Sequence, residues 1–158
     1  MITSRRDYML RILEEVGRLL ARLALQRERG DSDDAALETV VVGLQRLFTL
    51  DPDQIFLLTP EQHYDLLTDD DSAEFARDKV LLYAALNFEA GHIYTRLGNR
   101  AMARATFLNA LRFTLRARRV FSAEGWPPYA PDVAALLAAL ADEPLDPITA
   151  QLLAGHQN

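Results

Sequence analysis

Residues 84–117 read AALNFEAGHIYTRLGNRAMARATFLNALRFTLRA, and this stretch decides the fold. Small and aromatic residues recur in it at steps of 3, 4, 5, 4 and 3, at Gly91, Tyr94, Gly98, Ala103, Phe107 and Ala110. Steps of three and four place residues on one face of a helix, where small side chains let a second helix approach closely. The stretch therefore predicts two antiparallel helices packed around a short turn at Gly98.

The flanking segments are helical in pattern as well, and no strand pattern competes with them. Gly30 stops a first helix, Thr59 and Pro60 begin a short one, and prolines force an extended connection after Trp126. We expect six to seven helices: 5–29, 31–50, a short helix after Thr59, 73–97, 100–123, 132–141 and 147–154. They form a single domain over residues 1–158. It consists of a first helical pair (5–50), a repeat-like hairpin (73–124) and C-terminal capping helices (126–158).

Composition narrows the class of protein. A chain of 158 residues and 17.8 kDa is long enough to bury one core. The absence of cysteine excludes disulfide frameworks, zinc ribbons, iron–sulfur ligation and thiol catalysis. Charged residues interrupt every apolar run near the N-terminus, which argues against a signal peptide, and no run approaches the ~18–20 residues of a membrane span. The sequence predicts a cytoplasmic protein that does not contact a membrane.

The net charge of −6 conceals alternating blocks. Residues 1–29 contain seven basic and four acidic residues, and residues 30–78 contain two basic and thirteen acidic ones. Residues 79–125 contain eight basic and two acidic residues, and residues 126–158 contain no basic and four acidic ones. Nucleic-acid-binding domains are usually basic overall. The alternation instead favours pairing of the blocks within the fold or between subunits, and we predict no nucleic-acid partner.

The hairpin stretch resembles a tetratricopeptide repeat of the usual 34-residue length. Gly91 resembles the small residue at the helix contact, Gly98 resembles the turn glycine, and Phe107 is the aromatic of the second helix. Asn87 and Leu115 depart from the repeat, which prefers Trp and Pro there. The whole chain is also similar to an uncharacterised bacterial family of tetratricopeptide-like proteins, a domain of unknown function. The resemblance implies antiparallel hairpins in a right-handed array and a bacterial context, and it implies no reaction.

The resemblance also implies a concave surface on the first helix of the hairpin. Its predicted partner-binding residues are Phe88, His92, Thr95 and Arg96. Phe88, His92 and Arg96 follow at i, i+4 and i+8 and so line one ridge. This ridge is either a groove for a partner peptide or a packing surface for a neighbouring helix.

Glu89 and His92 form a Glu-x-x-His pair, which is half of the ligand motif of di-iron bundles. Neither His63 nor His156 has a Glu three residues before it. A ligand- or metal-binding bundle centred on Glu89, His92 and Tyr94 is therefore only the alternative hypothesis. We predict neither a metal site nor a cofactor.

The Arg-rich helix after Gly98 presents a second candidate surface. Leu108, Leu111 and Leu115 lie on one side of it, framed by Arg104, Arg112, Arg116 and Arg119. This leucine stripe is either a protein interface or a surface that the C-terminal helices cover, with Trp126 and Tyr129 as aromatic staples.

The first helix carries an apolar seam with alternating steps of four and three, at Met9, Leu13, Val16, Leu20 and Leu23. There is no nucleophile elbow and no phosphate-binding glycine loop, so an enzyme is not expected. We predict a protein–protein interaction or scaffold module of unknown partner that forms a homodimer through this seam.

Overall fold

The computed structural model describes residues 2–30, 32–69 and 72–157, without the side chains of residues 2–4 and 157. Over these ranges the fold is all helical, which confirms the predicted class. It has eight helices, α1 Ile2–Arg29, α2 Asp33–Phe48, α3 Pro52–Phe56, α4 Pro60–Thr68, α5 Ala73–Arg96, α6 Arg100–Val120, α7 Val133–Ala139 and α8 Pro147–Gln157. None of the described helices combines the length and hydropathy that crossing a bilayer requires.

The boundaries differ from the expected ones at a few places. The five-residue helix α3 was not predicted, although Gln54 accepts a hydrogen bond from the backbone N–H of Asp51 in a capping arrangement. Helix α6 ends at Val120, three residues early, because the backbone is already extended at Phe121. Helix α8 continues to Gln157. Of the residues expected to cap α2 and α5, Asp31, Asp70 and Asp71 lie outside the described residues.

Helices α1 and α2 form an antiparallel pair, since Glu15 binds Arg46 near one end while Leu23 and Ala36 line one recess near the other. Helix α1 runs parallel to α5: Arg6 lies over the ring of Phe75, and twenty-one residues later Arg27 binds Glu89. Helix α2 runs antiparallel to α5, with Arg96 bound to Asp33 and the side chain of Leu86 against Gly43.

The predicted hairpin is formed by α5 and α6. A Cβ placed on Gly91 would lie 2.5 Å from the ring of Phe107, so only glycine allows the helices this approach. Gly98 has a φ of +76°, and the N–H groups of Gly98 and Asn99 donate to the carbonyls of Thr95 and Tyr94. These are the two hydrogen bonds of a Schellman turn, so the predicted close contact and turn glycine are both confirmed.

The apolar seam of α1 packs inside the chain. Val16 and Leu23 are buried in the core that α1 shares with α2, α4 and α5, Met9 is buried as well, and Leu13 and Leu20 pack against that core at its edge. A second copy is not needed to cover Met9, Val16 or Leu23, which corrects the expectation that the seam is an interface. The correction has a simple cause: a seam pattern reports a buried stripe and does not report whose helices bury it.

The leucine stripe of α6 is covered by the C-terminal helices. Leu111 and Leu115 are buried in a second core with Leu136 and Leu140. Four arginines of α6 bind carboxylates of other segments, in the pairs Arg100–Asp142, Arg104–Glu143, Arg112–Asp146 and Arg116–Glu61. The interpretation that the charge blocks pair within the fold is confirmed for these residues.

Candidate functional site: a groove along helix α5

The largest apolar recess near the predicted ridge lies between α1 and the 126–131 connection, with α5 as its floor. Its volume is about 500 Å³. We call it the α5 groove, and its lining residues are Gly17, Leu20, Ala21, Ala85, Phe88, Glu89, Pro128, Tyr129 and Pro131.

Small residues keep the α5 groove open. Gly17 and Ala21 form the α1 wall, and Ala85 lies in the floor one turn before Phe88. A Cβ placed on Gly17 would have no neighbouring atom within 4 Å. The two parallel helices therefore do not fill the space between them, in contrast to α5 and α6.

Aromatic rings build the floor. The ring of Phe88 lies 4.7 Å from that of His92, and both lie edge-on to Phe107 at 5.9 and 5.2 Å. Burial lowers the pKa of His92, and the positive charges of Arg27 and Arg96 lower it further against the opposing effect of Glu89. The imidazole is therefore neutral at neutral pH and packs as an aromatic ring against Phe88, which lines the floor.

A buried arginine holds the connection that forms the opposite wall. Arg77 is 5% exposed and donates to the carbonyls of Ser122, Glu124 and Gly125 at 3.1, 2.6 and 3.1 Å. Its Nε also donates to Asp78 at 3.1 Å. One side chain thus satisfies three loop carbonyls and fixes the path of the chain after α6.

Two aromatic residues complete this wall. The guanidinium groups of Arg118 and Arg77 lie 4.9 and 5.9 Å from the ring of Trp126. The hydroxyl of Tyr129 lies 3.5 Å from the carbonyl oxygen of Asp78, and burial raises the pKa of Tyr129, with a further increase from the Asp78 carboxylate. The prediction that Trp126 and Tyr129 act as aromatic staples is confirmed, since both pack against the main core.

Ion pairs lie beside one end of the groove. Arg27 of α1 binds Glu89 of α5 at 3.2 Å, and Arg96 binds Asp33 of α2 at 2.8 Å. Both pairs are partly exposed, so each contributes about 1 kcal/mol or less to stability. Their effect on the groove is geometric, because they fix α1 and α2 relative to the end of α5.

The structure separates the four residues of the predicted ridge. Phe88 and His92 are in contact and Phe88 lines the α5 groove. Thr95 instead borders a crevice between α6 and α7, and its hydroxyl donates to the carbonyl of Gly91. The guanidinium group of Arg96 forms an ion pair with Asp33. Of the four predicted ridge residues, only Phe88 and His92 therefore remain together as part of a candidate site.

The alternative centre of Glu89, His92 and Tyr94 is not assembled. Glu89 binds Arg27, and Tyr94 packs against both apolar cores. At 100° per residue, Tyr94 lies about 160° around the helix from His92. The part of the chain that the structure describes holds no group of three or more His, Cys, Asp or Glu side chains suited to a metal ion. The structure therefore does not bring these three residues together at one site.

The sequence did not predict one buried polar pair, His63 and Tyr83. His63 donates from Nε2 to the carbonyl of Ile55 at 2.7 Å, so its Nδ1 accepts from the hydroxyl of Tyr83 at 2.9 Å. Burial raises the pKa of Tyr83 to about 12, so the hydroxyl remains a donor. The only sequence signal was a polar ring on each of two apolar faces, and such a signal cannot identify its partner.

No protein-family model matches the chain, and no curated protein or solved structure matches it in the corresponding searches. The tetratricopeptide resemblance therefore stays a prediction.

Proposed function

We propose that this protein is a non-enzymatic interaction module that holds an apolar peptide segment of a partner protein in the α5 groove. The observation that carries the proposal is the groove itself, an open recess of about 500 Å³ with Phe88 in its floor and small residues in its α1 wall. An apolar recess of this size is left unfilled by the chain's own helices, and it is the usual form of a binding site.

The shape of the groove favours a peptide over a compact ligand. Gly17, Ala21 and Ala85 present little side chain, so a partner backbone can approach the helices while a bulky apolar side chain contacts Phe88. Tyr129 and two prolines form a wall with little conformational freedom to lose on binding.

Electrostatics set a limit on the ligand. Glu89 is the sole side chain lining the α5 groove, within the described residues, that is charged at neutral pH, and Arg27 already neutralises it. A ligand with a strongly charged group in the groove would lose its hydration without gaining a counter-charge. The bound segment is therefore apolar, with its charges outside the groove.

The test is a peptide-display selection on the purified protein, followed by affinity measurement on a variant with a filled groove. Gly17→Leu places an isobutyl group in the groove, where the glycine has open space around it. Gly155→Leu is the matched control, because Gly155 also has no neighbouring atom within 4 Å and lies on α8. We expect apolar peptides that bind the unaltered protein and Gly155→Leu equally and bind Gly17→Leu about tenfold more weakly or worse.

Two results would overturn the proposal. Selection could yield no apolar peptide class above background. The selected peptides could also bind Gly17→Leu as tightly as the unaltered protein, which would place their site elsewhere.

A further inference from the structure

Two adjacent apolar side chains of the described surface are strongly exposed and do not line the α5 groove. Phe56 and Leu57, at the end of α3, are 63% and 85% exposed and adjacent in sequence. We call them the Phe56–Leu57 loop. Exposed large apolar residues occur singly on most soluble proteins, whereas an adjacent pair at these exposures is typical of a contact surface.

This loop is rigid because both of its ends are anchored. Ile55, directly before it, is 1% exposed, and its carbonyl accepts hydrogen bonds from His63 and from the N–H of Leu58. After the loop, Thr59 and Gln62 exchange the two hydrogen bonds of a capping box. The buried His63–Tyr83 pair thus presents Phe56 and Leu57 in a fixed conformation, which lowers the entropy lost on binding.

The charge around the loop specifies its partner. The sequence contains no lysine or arginine between Arg46 and Arg77, and it carries eight carboxylates there. Four of these carboxylates are exposed next to the loop in sequence; Glu61 already binds Arg116, and Asp51, Asp53 and Asp65 make no ion pair with another described residue. A surface that covers this loop must therefore be basic with apolar contacts between its charges.

Helix α1 of the same chain has such a surface. Four exposed arginines lie within about 40° of one another around the helix axis. They form what we call the arginine face, Arg11, Arg18, Arg22 and Arg29. None of them makes an ion pair with another described residue. Leu25 lies on the same side and is 43% exposed, and the nearby acids Asp7 and Glu14 leave the face net positive.

The N-terminal end of the arginine face lies beside the segment that leads into the loop. Tyr8 and Arg11 of α1 line one recess of about 460 Å³ together with Asp51, the N-cap of α3, and Gln54 of α3. A twofold axis beside this recess would bring the loop of each copy towards the arginine face of the other, and both contacts would then form twice.

We infer that the surface beside this recess is the interface of a homodimer, with the Phe56–Leu57 loop of each copy seated on the arginine face of its partner. The apolar loop provides the buried contact, and the acids around it pair with the arginines across the interface. None of the residues of the loop or of the arginine face lines the α5 groove, so the two proposals rest on different residues.

Light scattering and sedimentation across a concentration series test the inference. We expect the full chain to dimerise at low salt and to dissociate as salt is raised, because the rim contacts are ionic. Leu57→Glu is expected to weaken dimerisation about tenfold or more. Ile148→Glu is the control, since Ile148 is another large apolar residue, 67% exposed, on α8. Circular dichroism checks that both variants are folded.

Charge reversal provides the sharper test. Arg18→Glu with Arg22→Glu, and separately Asp53→Arg with Asp65→Arg, should each give a monomer. An equimolar mixture should form a heterodimer, because a twofold arrangement then pairs opposite charges at both contacts.

Three outcomes overturn the inference. The unaltered chain could remain monomeric at low salt and high concentration, in which case the loop serves a different basic partner. Leu57→Glu could dimerise as the unaltered chain does. Two folded charge-reversed variants could fail to associate when mixed. Gly17→Leu should dimerise normally, which separates a failure here from a failure of the groove proposal.

Discussion

Helix α5 packs against α6 and against α1 on different sides, and these two interfaces are filled in opposite ways. Towards α6, Gly91 admits the ring of Phe107 so closely that one added methyl group would collide with it. Towards α1, Gly17 faces a recess in which an added methyl group would touch nothing. The same residue type thus serves close packing on one side and open volume on the other. Close packing stabilises the hairpin, and open volume leaves a place for a ligand.

Gly91→Ala should disrupt the close packing between α5 and α6, and it should lower the free energy of unfolding most among these substitutions. The new Cβ meets ring carbons of Phe107, and that ring cannot swing aside because it packs against Phe88 and His92. We expect a loss of about 2 to 3 kcal/mol in the free energy of unfolding, measured by urea denaturation. Adding Phe107→Leu should restore part of the loss, since it removes the colliding ring edge.

Gly17→Ala is the matched control on the open side. Alanine favours a helix over glycine by about 0.5 to 1 kcal/mol, and no neighbour opposes the methyl group at this position. The variant should therefore be more stable than the unaltered protein. Equal losses from Gly17→Ala and Gly91→Ala would remove the distinction between the two interfaces.

Arg77→Met should destabilise the 126–131 connection that forms one wall of the α5 groove. Its effect on the free energy of unfolding should be smaller than that of Gly91→Ala. The substitution keeps much of the apolar stem and removes the donors to the carbonyls of Ser122, Glu124 and Gly125. Because those residues are exposed, water can replace the arginine in part, and we expect a loss of about 1.5 kcal/mol. Hydrogen exchange should accelerate across residues 122–131.

Arg118→Met provides the control for this effect, because Arg118 contacts Trp126 and has no hydrogen bond to the loop carbonyls. The free energy of unfolding of the Arg118→Met variant should differ from that of the unaltered protein by about 0.5 kcal/mol. Similar acceleration of exchange in both variants would mean that ring contacts, and not the carbonyl bonds, hold the connection.

The sequence predicted what local chemistry dictates. The glycine at the helix contact, the turn at Gly98 and the cap at Thr59 all depend on spacing or conformation within a few residues, and each is confirmed. The groove wall could not be predicted, because it requires Arg77 to meet carbonyls that follow it by 45 to 48 positions. The division of the predicted ridge could not be foreseen for a related reason. Helical spacing places Arg96 in line with Phe88, but Asp33 of another helix binds Arg96.

The pH dependence of His92 gives the smallest expected effect and reports on the packing against Phe88, the aromatic residue of the groove floor. Burial lowers the pKa of His92 in the folded protein below the ordinary value of 6.5, which the unfolded chain retains. Between these two values the unfolded chain binds more protons, so the stability falls as the pH drops from about 7 through 6.5 and levels off below the folded value. NMR titration should give a pKa for His92 below 6.5, and His92→Gln should remove the slope, whereas His156→Gln on α8 should retain it. A peptide bound against Phe88 would bury the imidazole further and lower this pKa again. A pKa at or above 6.5, unchanged by ligand, would mean that the floor is open to water and is not the apolar surface on which the proposed function depends.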